Sequence, residues 1–404
     1  MTEPLPESVP DEATAKSTHD ADAASGTPAA TAQRCTGVIG TLVLGAVIAL
    51  VLYFLLWPVP IRPVAWEAPS NPGYTGLFAA NERLTAMQPV DVLGEHGPES
   101  IATDEAGRMY FATGSGWIVR TDSLGQNAER WANTGGRPLG MAFDASGTLW
   151  VADANRGLLS VSPSGAVLVM ATEAGGSPIR YADDLDVAPD GRIYLTDAST
   201  RFYPPRYDAL QASILEVIEH RGSGRVIEFD PRSGRTQVIA AGLVFPNGLA
   251  VTHDGSGLLV NEMGNYRVLR IEREGVARGA IDVVVGDLPG FPDNLTRGLD
   301  GRYWIALVSP RNELADWMSG KPMLRKMLLR LPAIVRPGPV HYGHVIAIDS
   351  TWRIVADLQD PSGKLESLTH ALETPGALWL GSLSAPIAAR QPWTPTATGA
   401  QPTR

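Results

Sequence analysis

The sequence predicts an all-β fold, because one pattern of apolar strand, Asp/Gly turn and apolar strand recurs along most of the chain. Its copies begin near residues 99, 139, 183, 247, 290 and 367. Glycine in such turns accepts the positive φ angles that tight hairpins need. A repeat of about 40–50 residues that holds three or four strands is typical of one propeller blade. The sequence therefore predicts a six-bladed β-propeller, with an N-terminal transmembrane helix and two short helical inserts.

Composition sets the limits on class and partners. The chain has 404 residues, of which 44% are hydrophobic and 19% charged, so it can bury a large core. Its net charge is −10 and no basic block is present, which argues against nucleic acid as a partner. With Cys35 as its one cysteine, the chain forms no intramolecular disulfide and no thiolate zinc site.

The N-terminal part predicts a tail followed by a membrane anchor. Residues 1–36 are mostly small or polar, and we expect them to be disordered. Residues 37–57 carry no charge and are long enough to cross a membrane as a helix, with Tyr53 and Trp57 suited to the interface. A signal peptide is disfavoured because the leading segment is long and no small-residue cleavage site follows. A buried core helix is the remaining alternative.

The rest of the chain divides into a proline-rich connector at residues 58–88, the propeller at 89–390 and a loose tail at 391–404. Two long spacings between copies hold the inserts. Residues 201–219 contain a short apolar helical pattern, and residues 312–331 contain an amphipathic one. For both inserts, one interpretation is a helical element that packs on the outside of the ring. For the second insert, the alternatives are a lid or a helix lying on the membrane.

One column of residues is a candidate for chemistry. Aligning the copies on their turns places it at the entrance of the first strand of each blade, and first strands line the central channel of a propeller. The column therefore converges on one axis. It contains Glu99, Leu139, Asp183 or Asp184, Asn247, and Asp293 or Asn294.

These residue types favour a Ca²⁺ site. Carboxylates and amides brought together without lysine or arginine repel each other unless a cation lies between them. Hard oxygen ligands suit Ca²⁺ better than zinc or copper. The alternative is that Asp and Asn occur here as ordinary strand-entry residues. The adjacent acids Asp183 and Asp184 leave the register open by one position.

Several blades carry motifs of a known family. Residues 181–199 resemble the blade-three motif of strictosidine synthase-like proteins, and residues 245–250, 288–295 and 359–363 resemble three further motifs. Together with both inserts and the anchor, the pattern is closest to a membrane-associated animal group of that family. The resemblance implies a six-bladed calcium-dependent propeller, related to paraoxonases and gluconolactonases, with activity on aryl esters or lactones.

The resemblance also implies roles for individual residues. The metal ligands it implies are Glu99, Asp183, Asn247, Asp293 and Asn294. At position 183 the family usually has Asn, and the extra carboxylate should tighten metal binding. Leu139 stands where paraoxonase-type enzymes have a catalytic histidine, so that role does not carry over. Glu373 matches the catalytic glutamate of the plant synthase.

From these observations we expect a membrane-anchored, calcium-dependent hydrolase acting on a small-molecule ester or lactone. Asp293, or a water that it orients, is the expected base or nucleophile. Arg34 and Arg62 flank the apolar segment almost evenly, so the resemblance alone predicts that the propeller lies outside the cytoplasm. Two alternatives stay open. One is a non-enzymatic calcium-stabilised propeller that binds a ligand or partner, and the other is condensation through Glu373.

Overall fold

A computed structural model of the chain describes residues 28–394, with side chains from residue 39 onward. The chain divides into two compact units, with the boundary after Pro58. The predictions of disorder at residues 1–27 and of a loose tail at residues 395–404 concern segments outside the described residues.

The first unit contains helix α1, Pro28–Leu56. Proline suits the first helical position, where its missing N–H costs nothing, and the alanines that follow are strong helix formers. The helix therefore begins upstream of the predicted start at residue 37, within a segment that we expected to be disordered. Its stretch Ile39–Leu56 is long and apolar enough to cross a membrane, and no other helix within residues 28–394 is.

The second unit is a six-bladed β-propeller, as predicted, and each blade is a four-stranded antiparallel sheet. The propeller begins with β1 (Gln88–Asp91). Blade one contains β2 (Ser100–Thr103), β3 (Met109–Ala112), β4 (Trp117–Thr121) and β5 (Glu129–Asn133). Blade two contains β6 (Pro138–Phe143), β7 (Leu149–Asp153), β8 (Gly157–Val161) and β9 (Val167–Ala171). A small hairpin, β10 (Glu173–Ala174) and β11 (Ser177–Pro178), precedes blade three.

The remaining four blades follow in chain order. Blade three contains β12 (Ala182–Val187), β13 (Ile193–Asp197), β14 (Gly224–Asp230) and β15 (Arg235–Leu243). Blade four contains β16 (Pro246–Val251), β17 (Gly257–Glu262), β18 (Arg267–Glu272) and β19 (Ile281–Val285). Blade five contains β20 (Gly290–Arg297), β21 (Tyr303–Pro310), β22 (Gly343–Ile348) and β23 (Ile354–Asp360). Blade six contains β24 (Leu368–Thr374), β25 (Ala377–Ser382) and β26 (Ile387–Pro392).

Blade six closes the ring by taking its fourth strand from the start of the propeller. Strand β1 pairs antiparallel with β26, from Gln88 opposite Arg390 to Asp91 opposite Ile387. Closure leaves no free edge between the first and last blades, which protects the sheet from pairing with other chains. The β26 pairing explains why the sixth copy looked incomplete in the sequence.

The core lies between neighbouring blades. Ala112 and Ile118 of blade one, for example, pack with Val151 and Leu159 of blade two in one buried cluster. The turns fit the sequence pattern: Gly191 follows Asp190 with a φ of 83°, a left-handed conformation that a side chain would strain. The local hairpins thus place apolar side chains on both faces of each blade.

The two inserts form three helices. The first is α2 (Ala209–Glu219), which begins where the Asp208 side chain accepts a hydrogen bond from the N–H of Gln211. The second insert is split into α3 (Glu313–Trp317) and α4 (Pro322–Arg330). Pro322 separates them, because proline starts a helix readily but does not continue one.

The connector packs against the propeller and its inserts. Ile61 is buried beside α2, and the Trp66 ring stacks on His220 at a centroid distance of 3.8 Å. Arg325 of α4 is buried and donates hydrogen bonds to the carbonyls of Val64, Ile218 and Ser319. One guanidinium therefore joins the connector to both inserts.

Candidate metal centre

The first strands of neighbouring blades contact each other around the central channel. In blades two to six, the register between the first and second strands shifts where the first strand begins. Such a β-bulge leaves residues unpaired and re-aims their side chains. The residues at these shifts are Leu139, Asp183 with Asp184, Asn247 with Gly248, Asp293 with Asn294, and Thr369, while Glu99 precedes β2 at the equivalent place in blade one.

Hydrogen bonds between blades hold the backbone of this column. The carbonyl of Glu99 accepts from the Thr369 hydroxyl at 3.0 Å and from the Asn294 amide nitrogen at 3.3 Å. The carbonyl of Asp293 accepts from the Asn261 amide at 2.6 Å. These bonds satisfy the backbone and leave the side-chain oxygens of the column for another partner.

Four of those oxygens are buried and have no hydrogen-bond partner among the described residues: Asp183 Oδ1, Asn247 Oδ1, Asp293 Oδ1 and Asn294 Oδ1. With Glu99, these residues form what we call the oxygen cluster, and none of the five is more than 4% exposed. Buried polar atoms are nearly always paired, so a group of orphaned acceptors is suited to a cation or to ordered water. An all-oxygen donor set fits a hard cation.

The structure distinguishes Asp183 from its neighbour. The Asp184 carboxylate accepts the backbone N–H groups of Leu185 and Leu249, both at 2.9 Å. Asp184 therefore fastens blade three to blade four. Asp183, with an orphaned Oδ1, is the residue that remains available to a cation.

Burial also sets the protonation of the cluster. It raises the pKa values of Asp183 and Asp293 well above the usual range, and the charge of Glu99 raises both further. Burial raises the pKa of Glu99 as well, against the opposing effect of Arg137. Carboxylates grouped away from water favour their protonated forms unless a cation compensates their charge.

Arg137 corrects the expectation that no basic side chain reaches the cluster. Its Nη2 donates to Glu99 Oε2 at 3.1 Å. In the part of the chain that the structure describes, no group of three or more His, Cys, Asp or Glu side chains is arranged to hold a metal ion. A cation at this place would therefore need the amide oxygens of Asn247 and Asn294 in addition to the carboxylates.

Two hollows lie on the same side of the propeller as the oxygen cluster. The first, which we call the polar cavity, has a volume of about 710 Å³. Its wall contains the basic side chains Arg137 and His341, the acids Asp208 and Glu366, and Asn155, Tyr207 and Ser384 among others, and Glu366 pairs with His341 at 3.1 Å. The apolar groove, of about 170 Å³, runs between the connector and the inserts and is lined by Trp66, Ile214 and Leu314 among others. The two hollows adjoin, because both are lined by Leu210, Pro339, Ser367 and Leu383.

Sequence comparisons place this chain in a family. Residues 183–273 match the family model described as strictosidine synthase, and residues 76–121 match that described as strictosidine synthase-like, N-terminal. The adipocyte plasma membrane-associated protein of Salmo salar is 32% identical over 84% of this chain and 86% of its own. Protein STRICTOSIDINE SYNTHASE-LIKE 10 of Arabidopsis thaliana is 34% identical over 78% of this chain and 91% of its own.

The chain belongs to the strictosidine synthase-like family. The two matched segments of this strictosidine synthase-like chain contain Glu99, Asp183 and Asn247, whereas Asp293, Asn294 and the rest of the ring lie outside both.

Solved structures share the propeller. A Xanthomonas campestris gluconolactonase superposes with a TM-score of 0.55 at 17% identity, covering 83% of this chain and 98% of its own. A calcium-binding protein, regucalcin, of Agrobacterium tumefaciens gives a TM-score of 0.51 at 12% identity, covering 76% and 93%. At these identities the likeness establishes the fold.

The structure does not bring Glu373 to the oxygen cluster. The channel end of β24 is at Thr369, whereas Glu373 lies near the opposite end of the strand. Its carboxylate accepts hydrogen bonds from Leu299 N–H, the Arg302 guanidinium and the indoles of Trp304 and Trp393. These bonds lower its pKa against the effect of burial. Glu373 is therefore a structural acceptor that joins blades five and six, not a catalytic residue beside the cluster.

Sequence reasoning missed three residues at the site. Arg137 lies two positions before the column in blade two, and no pattern indicated that its side chain would reach Glu99. Thr369 stands in the column of the sixth copy, which was too degenerate to align. Asn261 comes from the second strand of blade four, and its position directly after the apolar run 258–260 was the available signal.

Proposed function

We propose that this strictosidine synthase-like protein is a membrane-anchored, calcium-dependent hydrolase of esters or lactones. The observation that supports it is the set of orphaned buried oxygens on Asp183, Asn247, Asp293 and Asn294, next to Arg137 at the wall of the polar cavity. Hard oxygen donors of this number and charge favour Ca²⁺. Proteins named as a gluconolactonase and as a calcium-binding protein have the same fold, so both properties are compatible with it.

The oxygen cluster would hold the ion, and a bound Ca²⁺ would polarise the substrate carbonyl and stabilise the developing oxyanion. Asp293 is the proposed base: it takes a proton from the water that attacks the acyl carbon. The acyl–oxygen bond then breaks, Asp293 passes that proton to the leaving alcohol oxygen, and the acid that forms loses its own proton to solvent as a carboxylate. The Asn247 side chain lowers the pKa of Asp293, against the larger raising effects of burial and of the Glu99 charge. Leu139, at the blade-two position, is buried and adds an apolar side chain where the other blades supply oxygen atoms.

We further propose that α1 anchors the protein in a membrane as a single span, with the propeller outside the cytoplasm. The apolar stretch Ile39–Leu56 and the membrane-associated relatives support anchoring. The protein should stay in the membrane fraction after carbonate washing, and protease added to intact cells should digest the propeller. Release by high salt alone would contradict a spanning helix, and full protection of the propeller would contradict this orientation.

Turnover on a panel of aryl esters and lactones, with and without a chelator, tests the hydrolase assignment. We expect hydrolysis that is lost on chelation and restored by Ca²⁺. The near-complete burial of the cluster also suits an ion that only stabilises the ring. Ca²⁺-dependent thermal stability without turnover on any member of the panel would favour that non-enzymatic alternative. No observation favours condensation through Glu373, since its carboxylate is occupied by structural bonds.

A further inference from the structure

Arg137 connects the oxygen cluster to the polar cavity. Its Nη2 donates to Glu99 Oε2 at 3.1 Å and to the carbonyl of Leu383 at 3.4 Å. Its side chain keeps 15% exposure and lines the cavity. Within residues 39–394, Nε and Nη1 of Arg137 make no hydrogen bond. A guanidinium has five N–H donors, so several remain for a ligand in the cavity.

The backbone fixes where this guanidinium lies. A Cβ atom at Gly114 would come within 2.3 Å of Arg137 Nη1, and one at Gly97 within 3.1 Å of Nη2. The two glycines leave the space that the planar group occupies between Glu99 and the cavity. A donor held in one place loses less entropy when it binds a ligand.

We infer, on the basis of the hydrolase function proposed above, that Arg137 forms a carboxylate-binding subsite at the wall of the polar cavity, for the acid that hydrolysis releases. A guanidinium with free N–H donors matches the paired oxygens of a carboxylate. Glu99 belongs to both sites, so a cation held by Glu99 withdraws that negative charge from Arg137 and leaves the guanidinium free to bind an anion. Cation and carboxylate therefore strengthen each other's binding, and the effect is reciprocal.

Calorimetry on the full-length protein in detergent, with Ca²⁺ and benzoate as probes, tests this subsite. We expect Ca²⁺ to tighten benzoate binding by roughly tenfold, and benzoate to tighten Ca²⁺ binding by the same factor, as for typically coupled sites. Arg137→Met should weaken benzoate binding by roughly tenfold or more, because a charge-assisted bidentate contact is lost. The same variant should bind Ca²⁺ more tightly, since a positive charge beside the ligands is removed.

Two further variants keep the proposal testable if Arg137→Met folds poorly. Gly114→Ala keeps every charge but places a methyl group where Nη1 lies, so it should weaken benzoate binding. Arg180→Met removes an exposed arginine that does not line the cavity, and it should bind both probes as the wild type does.

Unchanged benzoate affinity in both Arg137→Met and Gly114→Ala would overturn the subsite, as would independent binding of the two probes. These results are separable from the hydrolase assignment. Turnover of esters with unchanged benzoate binding in the variants rejects the subsite alone. Coupled, Arg137-dependent benzoate binding without turnover on any ester or lactone rejects the hydrolase and supports the subsite.

Discussion

The pair Asp183→Asn and Asp184→Asn separates a cation ligand from a structural acceptor by opposite effects. The two acids are adjacent and both buried, yet Asp183 Oδ1 has no hydrogen-bond partner while Asp184 accepts two backbone N–H groups. Each substitution removes one charge and almost no volume. Differences between the variants therefore report on the bonds of each side chain.

The expected magnitudes follow from those bonds. At pH 9, above the pKa of about 8 that burial gives Asp184, both carboxylate oxygens accept N–H groups. Each substitution removes one buried carboxylate, so that effect is common to the two variants. Asparagine at position 184 also leaves a buried N–H unpaired, so the free energy of unfolding of calcium-free Asp184→Asn should be about 1–3 kcal/mol lower than that of calcium-free Asp183→Asn. The Ca²⁺ affinity of Asp183→Asn should fall by roughly tenfold or more, because ligand charge sets affinity.

Chemical denaturation in chelator and calorimetric Ca²⁺ titration at pH 9 measure both quantities on both variants. Asp184→Asn should have a lower denaturation midpoint than Asp183→Asn and should change Ca²⁺ affinity little. A loss of Ca²⁺ affinity in Asp184→Asn equal to that in Asp183→Asn would refute the register that the bulge in blade three imposes.

Three further predictions concern the rest of the molecule. Glu373→Gln should destabilise the propeller by about 1–3 kcal/mol, since it removes an acceptor from buried donors such as the Trp304 indole, and Ca²⁺ titration should show unchanged affinity. Because its hydrogen bonds lower the pKa of Glu373, its stabilisation is lost as pH falls through the folded-state pKa, so acid should destabilise the variant less than the wild type. The raised pKa values of the cluster carboxylates mean that calcium-free stability falls as pH rises, so chelator should lower the thermal midpoint more at pH 8 than at pH 6. A chain that begins at Val59 should melt higher than one that begins at Ala68, because the latter loses the stacking of Trp66.

The sequence was sufficient to predict the propeller, because each blade is a local repeat whose turns and apolar strands are visible without distant contacts. It also located the column of polar residues at the strand entrances. It did not distinguish Asp183 from Asp184, because a β-bulge changes which of two adjacent side chains points into the channel, and bulge geometry depends on the partner strand.

Contacts between blades were the part that sequence could not supply. Arg137 reaches Glu99 from another blade, and the hydrogen-bond donors around Glu373 come from blades five and six. Nothing local to either residue indicates these partners. The resemblance suggests catalysis by Glu373, and the hydrogen bonds that occupy its carboxylate are visible only in three dimensions. Helix α1 begins earlier than predicted because its alanine-rich first turns have a high intrinsic helix propensity, which their polar neighbours do not override.

The most direct test of the account is a calorimetric Ca²⁺ titration of the wild type and Glu99→Gln, with aryl-ester turnover measured on the same samples. If the oxygen cluster is a catalytic calcium site, the wild type should bind Ca²⁺ and hydrolyse the ester. Glu99→Gln should lose roughly tenfold or more in Ca²⁺ affinity, with turnover falling in parallel. Unchanged Ca²⁺ affinity in Glu99→Gln would contradict the account and leave the column as ordinary strand-entry residues.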